Sequence, residues 1–274
     1  ATTEIYTLSL HDALPIYQAV RAGSSDLMRL VEDYTGKSSL WLEYFLGTLA
    51  HLPQINSQME LEIITTCNDV QRHEPVIRKN EGVHTVELRG IPSVVTIRVK
   101  SVLPEGIAAL KSQKLQGAVT ICDIGGGNTS ISRFYNGEPN GEVEVKDFGA
   151  EYLIERIAVS SELKALIEQP PSKDIINRSL EVSIKSKNKK PCLVYGDSNI
   201  NFYKVYETEL QDFINCRLRE IIKKLEHYKL TGDKVLVIGG GSKLPLLSAA
   251  LKKKGFLISD NGAFDNLVGL VGEV

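Results

Sequence analysis

The chain has 274 residues, 42% of them apolar and 24% charged, with a formal net charge of −2. That length holds one large domain or two smaller ones with proper cores, and the near-neutral charge argues against non-specific nucleic-acid binding as its main task. No apolar run approaches the roughly 18 residues of a membrane span. The four cysteines, Cys67, Cys122, Cys192 and Cys216, show no Cys-x-x-Cys spacing, so buried, reduced thiols are expected.

Residues 1–16 have no basic start, no continuous apolar stretch and no small-residue cleavage site, which excludes a secretory signal. They resemble the translated read-through of a sequencing adapter and are read as a non-native leader, with the first domain expected over 17–117. From Ser38 to Leu52, the residues Leu40, Trp41, Tyr44, Phe45, Leu49 and Leu52 fall at helical spacing. Trp41 is expected in the core rather than as a ligand platform. Glu60–Thr66 reads as a strand, and Gln71–Asn80 as a polar helix whose His73 is expected in solvent. Val83–Leu88 and Val94–Val102 alternate and pair as an antiparallel hairpin across Arg89–Ser93. Glu105 follows Pro104 just before the next helix, where an acid complements the helix dipole.

The densest signal follows. Val119–Cys122 reads as a buried strand that ends in Asp123, then Gly125-Gly126-Gly127-Asn128-Thr129-Ser130, then a returning strand from Ile131 to Phe134. Glycine permits φ > 0 and lets backbone N–H groups approach an anion. Thr129 and Ser130 add hydroxyls, and Asp123 stands where a carboxylate can hold a hydrated Mg²⁺. This is a strand-loop-strand phosphate cradle, distinct from a P-loop and from a dinucleotide fingerprint; a plain tight hairpin is the competing reading.

Gly141–Asp147 reads as a third strand, and Phe148–Ala158 turns through Gly149 into a helix carrying Glu151. Gln169–Lys173 breaks the chain and opens an insertion over 170–206. Within it, the basic run Lys185–Lys190 reads as a solvated loop, and Cys192–Gly196 with Ile200–Tyr206 as a hairpin over Asp197–Asn199. Thr208–Lys229 is an amphipathic helix with an apolar stripe from Leu210 to Tyr228, capped through Thr208 or Asp212 and carrying Arg217 on its polar edge. Lys234–Ile238 is a buried strand leading into Gly239, Gly240, Gly241 and Ser242, then a helix with Pro245 in its first turn. Gly255–Ile258 is a short last strand, and the C-terminal segment over 259–274 carries Phe264, Asn266 and Gly269.

Two triple-glycine loops, each ending an apolar strand, resemble the second phosphate loop and the adenosine loop of the actin-like ATPase superfamily. The order of elements before residue 104, the Pro104-Glu105 step and the Phe264-x-Asn266-x-x-Gly269 ending resemble the ParM/StbA type. The resemblance implies an α/β, actin-like two-domain fold, each half ribonuclease-H-like with a mixed sheet flanked by helices. It places the C-terminal nucleotide-binding domain at 118–258, the 259–274 segment returning to the first domain, and ATP with Mg²⁺ in the interdomain cleft. Asp123 would hold the metal through water, and Glu105 would orient the attacking water, a step that needs positioning more than a strong base. Gly125, Gly126, Gly127, Asn128 and Thr129 would cradle phosphate, and Gly239, Gly240, Gly241 and Ser242 would line the nucleoside. Glu151 and Arg217 would reach ribose or adenine, with a solvated helix residue the equal alternative for Glu151. The superfamily's first phosphate loop, Asp-x-Gly, does not occur before Ile124. The implied activity is ATP hydrolysis timing filaments that segregate plasmid DNA, in the cytoplasm. The implied partners are further copies of the chain and an adaptor bound to centromeric DNA, with no membrane and no direct sequence-specific nucleic acid. A small-molecule kinase of the same superfamily and a non-hydrolysing scaffold are the alternatives.

Overall fold

A computed structural model of the chain describes residues 4–9, 41–185 and 191–271. Its contacts fall into two compact units. The first runs to Lys114 and is completed by the segment from Ala263; the second is Leu115–Gly262.

The first unit is built on a four-stranded sheet of order β1-β2-β4-β3. Its strands are β1 (Glu4–Ser9), β2 (Gln58–Cys67), β3 (Gly82–Leu88) and β4 (Ile91–Pro104). β1 pairs parallel with β2 in the register Glu4↔Leu61 to Ser9↔Thr66, so part of the segment read as a leader is described as a strand. β3 and β4 form the expected antiparallel hairpin, with a tighter turn than the sequence suggested: Leu88 pairs with Ile91 across Arg89 and Gly90 alone. Both turn residues have positive φ, which matches the twist of a two-residue hairpin loop. Helix α1 (Trp41–Leu49) packs Trp41 and Phe45 into the core, their rings stacked at 5.3 Å. Trp41 is a core residue, as its spacing indicated.

Helix α2 (Val70–Arg78) is capped by the Asp69 carboxylate, which accepts from the Arg72 amide at 3.1 Å. The expectation for His73 is overturned: it is buried, not solvated, because it shares the inward face of α2 with Ile77 one turn later. The remaining elements of this unit are α3 (Ile107–Ser112) and, from the far end of the chain, the helix Asp265–Val271.

The second unit holds a six-stranded mixed sheet of order β10-β9-β5-β6-β7, with β8 also pairing β6. Its central strand β5 (Ala118–Ile124) is buried almost throughout, as a strand covered on both faces must be. It pairs antiparallel with β6 (Thr129–Tyr135) and parallel with β9 (Lys234–Ile238). β7 (Glu138–Pro139), β8 (Glu144–Lys146) and β10 (Leu257–Ile258) complete it. Where β5 and β9 begin and β6 ends, the buried Asp233 carboxylate accepts from the Thr120 hydroxyl at 2.6 Å and from Arg133 Nε at 3.2 Å. Arg133 in turn lies over the Tyr228 ring at 4.4 Å. That knot ties β5, β6 and the entry to β9 together.

Helices α4 (Ala150–Val159), α5 (Ser161–Ile167) and α6 (Lys173–Lys185) follow, with the break at Gln169–Ser172 as expected. The hairpin expected over 192–206 reduces to a single bridge, Val194↔Asn201. What read as its second strand is the start of helix α7 (Tyr203–Phe213). Phe202, Val205, Tyr206, Leu210 and Phe213 are all buried and follow the helical period rather than alternation. The helix therefore begins five residues before Thr208, with the Asn201 side chain accepting from the Tyr203 amide, and neither Thr208 nor Asp212 caps it. It passes through a π turn at Ile214–Leu218 into α8 (Arg219–Leu230). Cys67 and Cys122 are buried, but Cys192 and Cys216 are exposed, against the expectation of four buried thiols. The basic run Lys185–Lys190 lies outside the described side chains. Among the described residues no helix is long and apolar enough to cross a membrane.

Burial, above all, holds the His73 imidazole below its ordinary pKa; Asp69 opposes the shift and Arg72 adds to it. Below about pH 6.5 the unfolded chain therefore binds a proton that the folded chain resists, and stability falls as pH is lowered. Urea unfolding between pH 7 and pH 5 is expected to lose up to about 1.4 kcal/mol per pH unit from this group. His73→Gln should flatten that slope; parallel curves for the two proteins would remove His73 from the account.

Candidate functional site

The parallel pairing of β5 and β9 sets Asp123 opposite Ile238, so both glycine loops leave the sheet side by side from adjacent strand ends. They meet closely. Gly239 has φ 83 and ψ 162, a conformation open essentially to glycine alone. A Cβ on it would stand 2.2 Å from Asp123 Oδ1 and 2.5 Å from the Ile124 carbonyl. One on Gly241 would stand 2.4 Å from Ile124 Cγ2. Two of the three glycines are therefore demanded by contact with β5. Gly240 is exposed.

The first loop is the expected strand-loop-strand turn, with Ile124 paired to Thr129. Its glycines work differently from expectation: none of Gly125, Gly126 and Gly127 has a positive φ. The Gly125 amide donates to the Asn128 carbonyl at 2.9 Å and closes the loop. The carbonyls of Gly125 and Gly126 accept from the first amides of α4, those of Ala150 and Glu151, at 2.9 and 2.8 Å. These are helix-end donors that need a partner. Gly149 makes the approach possible, since a Cβ there would stand 2.4 Å from both carbonyl oxygens. Every peptide described here is trans, so each N–H opposes the preceding carbonyl. The amides of Gly126 and Gly127 consequently point away from α4. Gly126 is exposed, and a Cβ on it would meet nothing within 4 Å. Open space beside outward amides is an anion cradle in its elementary form.

The other candidates divide. Asp123 is buried at the end of β5 against Gly239, and Asn128 is half-buried in the loop. Thr129 is buried and donates its hydroxyl proton to the Phe148 carbonyl at 2.8 Å, so it braces the loop rather than offering a donor. Ser242 likewise donates to the Gly239 carbonyl at 2.7 Å, within a 3-10 turn over Gly240–Lys243. Pro245 lies beyond that turn and before helix α9 (Leu247–Lys253), not in the first turn of a helix. Glu151 sits half-buried in the first turn of α4, beside the phosphate-type loop that its own amide ties down. Arg217 is exposed on the π turn, its guanidinium 4.6 Å from the Tyr152 ring and 5.9 Å from that of Phe148. Tyr152 belongs to α4, so Arg217 packs beside the helix whose first amides hold the first loop.

Glu105 belongs to the first unit. It precedes Gly106, the N-cap of α3, so it is not a first-turn acid. It is buried, and its amide donates to the Cys67 carbonyl at 2.8 Å. Burial first, and then the Glu105 charge, push the Cys67 thiol up to about 12. Gly149 and Tyr152 were not read as site residues from the sequence. The glycine before a helix was visible, but the loop it receives was not.

No family model matches the sequence, and no curated protein matches it. Solved structures do. An archaeal actin homolog, Ta0583, superimposes with a TM-score of 0.66 over 89% of this chain and 76% of its own, at 16% identity. The actin-like protein Alp7A gives 0.61 over 91% and 76%, at 15% identity. Bacillus thuringiensis ParM, solved with AMPPNP, gives 0.59 over 80% and 69%, at 17% identity. The chain has an actin-like fold. Within that fold the two triple-glycine loops are neighbours on one sheet, where the sequence showed only two similar strings.

Gly239→Ala is expected to cost about 2–4 kcal/mol, combining a disallowed φ with a clash against Asp123 and Ile124. A change below about 0.5 kcal/mol in chemical denaturation would mean the two loops do not meet as described.

Proposed function

We propose that this chain binds ATP with Mg²⁺ on the second unit, and that hydrolysis times the assembly of filaments that segregate plasmid DNA. The observation that carries the reading is the loop Gly125–Asn128, with its carbonyls held by α4 and its Gly126 and Gly127 amides turned outward, beside Gly239–Gly241. The likeness in fold to Alp7A and to a ParM solved with AMPPNP supports the same reading.

The chain's own residues divide the task. The amides of Gly126 and Gly127, with Asn128 extending the row, bind phosphate oxygens. Gly125, whose amide closes the turn, and Thr129, whose hydroxyl is committed to Phe148, fix the loop's shape. Asp123, a single carboxylate at a strand end, suits Mg²⁺ held through water. When bound there, the metal would supply positive charge against the phosphate. Gly239–Gly241 and Ser242 line the nucleoside, with Glu151 and Arg217 at its polar edge. Arg217 leaves or keeps its place over Tyr152 at little cost, an exposed cation–π contact being worth about 0.5–1 kcal/mol. To Glu105, in the first unit, the resemblance of the Pro104-Glu105 step assigns the orienting of the attacking water. The assembly would be of further copies of this chain, coupled to a centromere-binding adaptor in the cytoplasm.

ATP-dependent pelleting with parallel phosphate release tests this on the full chain. Gly126→Ala should leave the unfolding midpoint unchanged, since its Cβ has room, yet weaken ATP binding at least about tenfold, or 1.4 kcal/mol. Wild-type affinity in that variant would remove the first loop from the site. Glu105→Ala is expected to assemble with ATP but release little phosphate. A chain that binds ATP and never pellets would sink the segregation reading in favour of a small-molecule kinase; assembly without phosphate release in the wild type would favour a scaffold.

A further inference from the structure

We infer that Asn266, in helix α10 (Asp265–Val271), is a positioning residue for Glu105. The inference rests on the role given to Glu105 above. Two successive amides are pinned at this point of the first unit. The Glu105 amide donates to the Cys67 carbonyl at the end of β2, at 2.8 Å. The next amide, that of Gly106, donates to Asn266 Oδ1 at 3.0 Å, a buried contact between residues 160 apart in sequence. Gly106 has φ 93, so the chain turns sharply immediately after Glu105 and enters α3. The peptide on each side of the Glu105 Cα is therefore held.

α10 is itself fixed. A Cβ on Gly269 would stand 1.7 Å from the Ala108 carbonyl oxygen, so α10 and α3 touch backbone to backbone. Leu270, one residue on, is buried with Ile64 of β2 and Ala108 of α3. Asn266 lies about one turn before Gly269 on this helix. Its side-chain oxygen is therefore delivered by a helix that cannot slide without clashing, and Asn266 is itself 3% exposed. A water-orienting carboxylate needs placement more than basicity, and a misplacement of about 1 Å costs about a hundredfold in rate. The geometry makes the C-terminal helix the source of that placement.

The test compares full-length wild type, Glu105→Ala, Asn266→Ala and Asn266→Asp by hydrogen–deuterium exchange, thermal unfolding and steady-state ATP turnover. In Asn266→Ala the Gly106 amide should exchange at least about tenfold faster. Its kcat should fall about 10- to 100-fold with KM for ATP within about twofold. Asn266→Asp keeps an acceptor at the same reach and should restore both slow exchange and most of the turnover. Unchanged turnover in Asn266→Ala, alongside collapse in Glu105→Ala, overturns the positioning role and leaves that of Glu105 standing. Full turnover in Glu105→Ala overturns both. Equal loss in the Ala and Asp variants, or KM rising in step with the fall in kcat, assigns Asn266 a general structural role instead. Exchange at Gly106 reports on the clamp even if the chain turns over no ATP, in which case an unchanged rate in Asn266→Ala overturns it independently.

Discussion

The site in the second unit depends on how closely the backbone of Gly239 approaches the Asp123 carboxylate. Parallel neighbours end level with one another, and a side chain at Gly239 or Gly241 would force the second loop away from β5. Because Gly239 carries none, Asp123 remains at the strand end with the second loop folded over it, and Gly241 lies against Ile124. The knot of Thr120, Arg133 and Asp233 holds the strands together near their other ends. The register between β5 and β9 is thereby fixed from both sides, and with it the spacing of the loops.

A second close approach orders the first loop. Gly149 admits the carbonyls of Gly125 and Gly126 to the amino end of α4, which satisfies helix donors and loop acceptors at once. Planarity of the peptide then does the rest, turning the following amides outward. None of the three glycines of this loop has a left-handed backbone, and Gly126 faces open space; the close approach is made by Gly149. The first unit uses the same device at Gly269, where the missing Cβ lets α10 rest on the carbonyl of Ala108. In each case a glycine fixes a spacing that a function can use.

Much of this was legible in the sequence. The apolar strands before both glycine loops, the hairpin around Gly90, the core position of Trp41 and the helix after Gly149 follow from period and turn chemistry over short windows. Where local reading failed, a local ambiguity was at fault. Phe202 to Tyr206 is aromatic and β-branched, which suits a strand, yet its buried positions continue the helical stripe of Leu210 and Phe213. His73 is polar, and its place on the inward face of α2 outweighed that. The π turn that carries Arg217 leaves no mark in a single sequence.

The sequence by itself determined the elements, the two glycine strings and the candidate acids, because hydrophobic period and backbone freedom are properties of neighbouring residues. Tertiary structure alone decided which atoms those residues offer. It gave the Thr129 and Ser242 hydroxyls to carbonyls, turned the Gly126 and Gly127 amides outward, and set Asn266 against Gly106. Hydrogen bonds between residues far apart in the chain are chosen by strand register and helix contact, and neither is written in any local window.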